Sequence, residues 1–291
     1  MKALVSVIIP TYQRSDKLAG TIESVLNQTY RHIEIIVVDD NLPESPYRAE
    51  TESLMERYRG DDRIVYIKHD MNLGGAEARN TGIKHSRGDF LSFLDNDDEF
   101  FSNKIENEIA LYTTSADSSI AFVMSEMEYV YPNEKVKITD RSHLFKDQPS
   151  LLKAHLLRKG RNGFVGTPTF LFKREIIEEI NGFDNVSIRQ EYCLLLKILG
   201  HGYKGVYLNQ VTVKVYVSDD SITRKYSYKK ELDIAKVYRL QKKYTDLLTK
   251  TEKLILIRNH IKDLLIFLYL SKNYKRLLIN LLLLPYLALK K

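Results

Sequence analysis

Four short runs of almost unbroken aliphatic residues do most to limit what this chain can fold into. "LVSVIIP" comes first, "IEIIVVDD" and "RIVYIKH" follow, and "DFLSFLD" closes the first hundred residues. A strand with one wet face alternates apolar and polar residues, whereas a strand apolar throughout is covered on both faces. Between the runs lie helical patterns. Leu18, Ile22, Val25 and Leu26 fall on one face of a helix that Ser15 is placed to cap, and a second helix is predicted over about Gly75 to His85. Strands buried on both faces and alternating with helices predict an α/β fold with a parallel sheet between helical layers.

Beyond a further helix at about Asn103 to Tyr112 the order loosens. "IAFVMSEMEYVY" reads as an extended or hairpin segment, and "TFLFKREIIEEINGF" as strand then helix, with Gly182 as the stop. "QEYCLLLKILGHGY" reads as a helix ended by Gly200, and "VYLNQVTVKVYV" as β structure. From Tyr226 the chain reads as helices rich in Lys, Leu and Ile. Its longest apolar stretch, 277–289, is interrupted by Asn280 and Pro285 and falls short of the roughly 20 residues of a membrane span.

Charge separates this last part from the rest. Residues 224–291 hold 17 Lys/Arg and 5 Asp/Glu, a balance of +12, which leaves −6 for the remainder of a chain whose net charge is +6. An acidic body argues against nucleic acid as its partner, and the basic tail reads as a separate device, either for an anionic membrane or for the complementary body. The single cysteine, Cys193, excludes an internal disulfide framework and a multi-cysteine zinc site, fits a reducing compartment, and is expected as a small core residue. The first apolar run lacks the length and small-residue cleavage site of a signal peptide, so the expected location is cytoplasmic.

The strand ends carry the chemistry. In open α/β sheets ligands sit beyond the carboxyl ends of the strands. Here the first end is Pro10, Thr11, Tyr12, Gln13 and Arg14, the second Asp39 and Asp40, and the fourth Asp95, Asn96, Asp97 and Asp98. Four carboxylates in "DNDDE" repel one another unless solvated or paired, and a hard divalent cation would satisfy them. Together, a ring able to stack on a base, a carboxylate able to accept its N–H and a cation bridging Asp97 to a pyrophosphate suit a nucleoside diphosphate. Arg79 could equally pair with Glu77 or Asp89, while His69 and His85 are expected at the surface.

These residues resemble the glycosyltransferase family 2 enzymes, inverting transferases of the GT-A fold, over about residues 4–222. The motifs are "VSVIIPTYQR", "SVLNQTY", "IEIIVVDD", "NLGGAEARNTGI", "GDFLSFLDNDD" and "INGFD", in the expected order. The resemblance implies a Rossmann-like, mostly parallel sheet flanked by helices. Residues 1–222 would form the catalytic domain (1–100 the nucleotide-binding half, 101–222 the acceptor-binding half) and 223–291 a helical extension. It implies a nucleotide-sugar donor such as a UDP-sugar, Mn2+ or Mg2+, and transfer to a glycan or lipid-linked glycan. Working on such acceptors would place the protein at the inner face of the cell membrane; a homodimer is left open. By matching motifs, Pro10, Thr11, Tyr12 and Arg14 belong to the nucleotide-sugar site, Asp40 meets the base with Asp39 beside it, and Arg79 and Asn80 face the nucleotide. Asp95 and Asn96 approach the ribose or sugar, and Asp97, with Asp95, takes the metal. The later acidic pair reads "RQEY" here, which makes Glu191 the catalytic base, and Ser218 next to Asp219 stands where the family often has a His, so the third metal ligand is unassigned. Acceptor choice would lie in the middle of the chain, including Thr167 to Thr169.

Two readings from other classes compete with this one. A sugar nucleotidyltransferase would need a glycine-rich basic loop after the first strand, and "PTYQRSDKL" has no glycine. A non-catalytic sugar-nucleotide or glycan-binding module remains compatible with Glu191 and Ser218. A processive membrane synthase is not expected, because the sequence has no Trp for a Gln-x-x-Arg-Trp element and no set of spanning helices.

Overall fold

The computed structural model describes residues 2–145, 151–157, 166–217, 228–270 and 274–275. In chain order it runs β1 (Val5–Thr11), α1 (Ser15–Leu26), β2 (Ile33–Asp39), α2 (Pro46–Met55), β3 (Ile64–Lys68), α3 (Gly75–His85), β4 (Phe90–Phe93) and β5 (Glu99–Phe100). Then follow α4 (Lys104–Thr113), β6 (Ile120–Val130), β7 (Val136–Ile138), α5 (Leu151–Leu157), β8 (Phe170–Lys173), α6 (Arg174–Glu179), α7 (Gln190–Gly200), β9 (Lys204–Tyr216), α8 (Tyr228–Lys242) and α9 (Lys250–Leu270).

The strands form one sheet in the order β3-β2-β1-β4-β8-β6-β9-β5, with β7 added to β6. The first four are mutually parallel, with Val5 facing both Ile33 and Phe90. Their carboxyl ends therefore share one edge. The purely parallel reading stops there, because β8 runs antiparallel to both β4 and β6, although β6 and β9 are again parallel. The "IAFVMSEMEYVY" segment is the hairpin partner of β7.

The continuous apolar runs have a direct cause. Side chains alternate across a strand, so Ile8, Ile36 and Val38 enter one core with α3, α6 and α7, while Val7, Ile9, Ile35 and Val37 enter the other with α1, α2 and α4. Full burial of one such side chain contributes about 1.5–3 kcal/mol. The α3 helix lies so close to β1 that a Cβ on Gly82 would stand 2.3 Å from Ile8.

One expectation shifts, at the start of α1. Ser15 is the first helical residue and not the cap; the cap position is Arg14, without a side-chain cap bond, and the Ser15 hydroxyl donates to Glu50. Gly200 is the last residue of α7, and the turn is made by Gly202 at φ +89°. Among the described residues of the extension, Val237, Leu248 and Leu256 join Leu156, Leu157, Tyr192, Cys193 and Leu196 in a third apolar cluster. Its helices thus pack on the body, as the opposite charges of the two parts favour. The expected boundary at 222/223 and the apolar stretch 277–289 lie outside the described residues. Among the described residues no helix is long and apolar enough to cross a membrane.

Candidate active site

A cavity of about 530 Å3 opens at the carboxyl edge of β1, β2 and β4. Pro10, Thr11, Tyr12 and Arg14 form one wall, and Asp40 with the 72–76 segment a second. The 95–98 turn, residues 185–187, Gln190, Lys229 and Lys230 complete the lining.

The wall at the ends of β1 and β2 is held by a ladder of side chains. Gln13, at φ +55°, donates its backbone N–H to Asn41 Oδ1 at 2.9 Å. Asn41 in turn donates twice to Asp39 Oδ1, at 2.9 and 2.8 Å. The other Asp39 oxygen accepts from the Tyr66 hydroxyl at 2.6 Å and lies 3.0 Å from Arg48 Nε. Burial and this bond raise the Tyr66 hydroxyl far above its usual pKa. Asp39 is thus wholly buried and does not line the cavity, which corrects its placement in the nucleotide site. Its carboxylate is spent on positioning.

Asp40 does line the cavity, but its oxygens are filled. Oδ1 lies 2.8 Å from His69 Nδ1 and from the Leu73 N–H, and Oδ2 accepts from Asn72 Nδ2 at 2.9 Å and Gly74 N–H at 2.8 Å. A carboxylate has about four acceptor sites. In this arrangement a base N–H would have to share an oxygen already used twice, and what Asp40 does is fasten the 72–74 turn to the rim. His69, expected at the surface, is buried between Asp40 and Thr81, which lies 2.9 Å from its Nε2.

The acidic turn is cross-braced. Asn96 donates from Nδ2 to Thr11 Oγ1 at 2.8 Å and to the Arg14 carbonyl at 3.1 Å, tying the end of β4 to the end of β1. Asp97 forms an ion pair with Arg14. Asp95, 44% exposed, pairs with Arg79 Nη2 at 2.5 Å. Arg79 pairs with neither Glu77 nor Asp89; its Nη1 reaches Gln190 Oε1 at 2.6 Å, linking the acidic turn to the start of α7. Asp98 is buried, accepts from the Tyr216 N–H at 3.2 Å, and is pushed well above the usual carboxylate range by burial and by Asp95.

Asn80 turns away from the cavity, correcting a second expectation. Its Nδ2 donates to the Phe183 carbonyl at 2.9 Å and its Oδ1 accepts the Phe183 N–H at 2.8 Å, which locks "INGF" against α3. A Cβ on Gly182 (φ +58°) would meet Asn80 Oδ1 at 2.6 Å. Thr169 is likewise unavailable to an acceptor. It is fully buried, with its hydroxyl donating to the Gly166 carbonyl at 2.8 Å.

Glu191 stands in the first turn of α7, half-buried, after Arg189 at φ +55°. Burial pushes its carboxyl up; Arg79 and Arg189 pull it down, and Asp95 raises it. It does not itself line the cavity; its neighbour Gln190 does. Ser218 and Asp219 lie outside the described residues.

Oxygen-rich carboxylates on the cavity wall suit a hard cation. Mg2+ commonly keeps several waters and needs only one or two protein carboxylates beside substrate phosphates. Asp95 and Asp97 meet that requirement, although among the described residues no group of three His, Cys, Asp or Glu forms a complete cage.

Asn185, Ser187, Lys229 and Lys230 also stand on the wall, without a motif in the sequence that marks them. Their placement depends on long-range packing of α8, for which no local signal exists.

The family model described as Glycosyl transferase family 2 matches residues 6–181. The chain is 30% identical over 220 residues to the Escherichia coli UDP-Glc:alpha-D-GlcNAc-diphosphoundecaprenol beta-1,3-glucosyltransferase WfaP, covering 76% of this chain and 80% of that one. The matched region also occurs in longer proteins: the chain spans 30% of an uncharacterized glycosyltransferase of Rickettsia bellii to which it is 31% identical. Among solved structures, S. aureus TarS 1-349 in complex with UDP-GlcNAc superposes with a TM-score of 0.65 at 17% identity, covering 93% of this chain and 73% of that one. The mannosyltransferase PcManGT from Pyrobaculum calidifontis, in complex with GDP-Man and Mn2+, gives 0.60 at 17%, covering 92% and 73%. At such identity the structural likeness shows the fold.

Proposed function

This chain belongs to glycosyl transferase family 2, and from that membership we propose that it moves a sugar from a nucleotide-sugar donor, a UDP-sugar, to a hydroxyl of a lipid-linked glycan with inversion, in the synthesis of a bacterial surface polysaccharide. The observation that carries this reading is the convergence on one cavity of Tyr12, Asp95 and Asp97 with the start of α7, where Glu191 sits. The printed names of WfaP and the TarS complex, with UDP-Glc and UDP-GlcNAc, support the donor class, and WfaP's diphosphoundecaprenol acceptor supports the acceptor class. Mn2+ in the PcManGT complex supports a divalent cation.

In this reading Tyr12 packs on the base, and the 72–74 turn held by Asp40 forms its rim. Asp97 and Asp95 would hold the cation. When bound, a divalent cation supplies charge neutralisation to the departing diphosphate. Arg79 holds Asp95 and Gln190 in one register, so the donor end and the start of α7 keep a fixed separation. Glu191 takes the proton of the acceptor hydroxyl as the C–O bond forms on the face opposite the leaving diphosphate.

The test is nucleotide release from a panel of sugar nucleotides by the full chain, with a polyprenyl-diphosphate sugar as acceptor and Mn2+ or Mg2+ present. UDP release from one donor is expected, lost in EDTA and in Asp97→Ala, whose thermal unfolding should match the parent because the carboxylate lines a cavity and not the core. Release that survives both treatments removes the metal assignment. No release from any donor removes the transferase reading.

A further inference from the structure

We propose that Arg79, with Arg14 beside it, competes with the divalent cation for the carboxylates of the acidic turn, and so makes the cation and the donor's diphosphate bind as a pair. The proposal rests on the metal and donor assignments above and adds to them a role for the arginines. Arg79 Nη2 donates to Asp95 Oδ1 at 2.5 Å, and both residues line the cavity. Arg14 forms an ion pair with Asp97. Both carboxylates assigned to the cation are thus engaged by a guanidinium.

The partners in the Arg79–Asp95 pair differ in freedom. The Asp95 side chain is 44% exposed and that of Arg79 only 10%. Arg79 Nη1 donates to Gln190 Oε1 at 2.6 Å and to the Gly75 carbonyl at 3.3 Å, and its guanidinium lies 5.7 Å from the centre of the Phe183 ring. Gln190 is held in turn, because its Nε2 donates to the Val186 carbonyl at 2.9 Å. Gly75 leaves the room for this arrangement, since a Cβ there would stand 3.1 Å from Arg79 Nη1. Three contacts independent of Asp95 therefore fix the guanidinium on the cavity wall. Its positive charge keeps that place whichever ligand Asp95 serves.

A cation on Asp95 meets that charge at close range. Like charges a few ångströms apart repel, and partly buried charges are screened less than exposed ones. Cation binding by itself is thereby opposed. A diphosphate removes the conflict. Its oxygens neutralise the cation, and they supply the anion that Arg79 loses when Asp95 turns to the metal, a role to which a planar guanidinium is suited. Each ligand then favours the binding of the other, and the coupling is equal in both directions. A role confined to stapling the acidic turn to α3 and α7 gives the opposite expectation, because losing a staple loosens the metal site.

The experiment is Mn2+ titration of the full chain, followed by the electron paramagnetic resonance of free Mn2+, without UDP and with UDP at saturation. The variants are Arg79→Gln, Arg79→Lys and Arg14→Gln, with thermal unfolding as the check on folding. Without UDP, Arg79→Gln should bind Mn2+ about threefold or more tighter than the parent, because a competing charge is gone. Arg79→Lys, which keeps the charge, should stay within about twofold of the parent. The factor by which UDP raises Mn2+ affinity should shrink in Arg79→Gln. Arg14→Gln should gain Mn2+ affinity in the same direction, and it carries the test if Arg79→Gln unfolds. Mn2+ affinity without UDP that is unchanged or weaker in the folded glutamine variants overturns the competition alone, as does an equal gain in Arg79→Lys. A parent that binds no Mn2+ even with UDP overturns it together with the metal assignment, and a parent on which UDP has no effect overturns it together with the donor assignment.

Discussion

At the scale of single residues, the site separates groups open to the cavity from groups that hold others in place. Asp39 and Asn80 have every polar atom engaged by the protein, so their identity is explained by the strands and turns they lock. Glu191 is different. A base must be unprotonated before the acceptor arrives and must take a proton during the reaction, which favours a pKa nearer the working pH. Burial moves Glu191 in that direction. A raised pKa means that the carboxylate is protonated, and activity lost, as pH falls through a value above the ordinary carboxylate range. Glu191→Gln keeps size and hydrogen bonding but cannot accept the proton. Turnover should fall about 10²–10⁴-fold, and donor affinity should persist because the cavity lining is intact. Rate–pH profiles of the two proteins measured with saturating donor check this. A variant that turns over normally, or that keeps the parent's acid limb, removes Glu191 as the base.

At the scale of elements, α7 is the piece on which the site depends. Leu194, Leu195 and Ile198 face the sheet-side core, while Tyr192, Cys193 and Leu196 face the cluster shared with α5, α8 and α9. That two-sided burial explains why its sequence is apolar nearly all round. Arg189, at its start, pairs with Asp263 of α9 at 2.9 Å, and the Tyr192 hydroxyl accepts from Gln241 of α8 at 2.7 Å. The helix bearing the proposed base is thus clamped by the extension. His155 of α5 is the weak point of this clamp in acid. It stacks on Tyr192 at 4.3 Å, its Nε2 donates to the Tyr192 carbonyl at 2.9 Å, and burial lowers its pKa to about 4. The unfolded chain, with a His near its ordinary value, binds more protons than the folded one as pH falls from about 6.5 towards 4. Folding stability should therefore drop across that window, by about 1.4 kcal/mol per pH unit and about 3 kcal/mol in all. Urea unfolding of the parent and of His155→Gln, which keeps an N–H donor, measures this. Equal slopes against pH in the two proteins would show that His155 is not the titrating group.

At the scale of the whole molecule, what the sequence disclosed follows from whether a signal is local. The buried strands, α3 from Gly75 to His85 and the acidic turn after β4 were legible because each writes its environment into consecutive residues. The full occupation of Asp40, the inward turn of Asn80 and the arrival of Lys229 and Lys230 at the cavity were not, because each depends on partners 29 or more positions away, as His69 is from Asp40 and Phe183 from Asn80. The same holds for the basic tail. Charge alone left two destinations, and packing against the body accounts for only part of its surface. On α9 the exposed Leu254, Arg258, Lys262, Ile266 and Tyr269 follow at intervals of three and four, and Ile257 adjoins them, so apolar and basic groups share one outward stripe. A stripe of that kind suits the surface of an anionic bilayer, where each basic residue contributes about 1 kcal/mol near the headgroups, and where a lipid-linked acceptor would be found. Truncation is a poor test, since removing α8 and α9 would strip the third apolar cluster. The expected result for the full chain is flotation with phosphatidylglycerol vesicles, weaker flotation with pure phosphatidylcholine, and a marked loss in Arg258→Glu/Lys262→Glu with thermal unfolding unchanged. Equal flotation of parent and variant would assign the stripe to some other contact and leave the extension as a builder of the catalytic cavity alone.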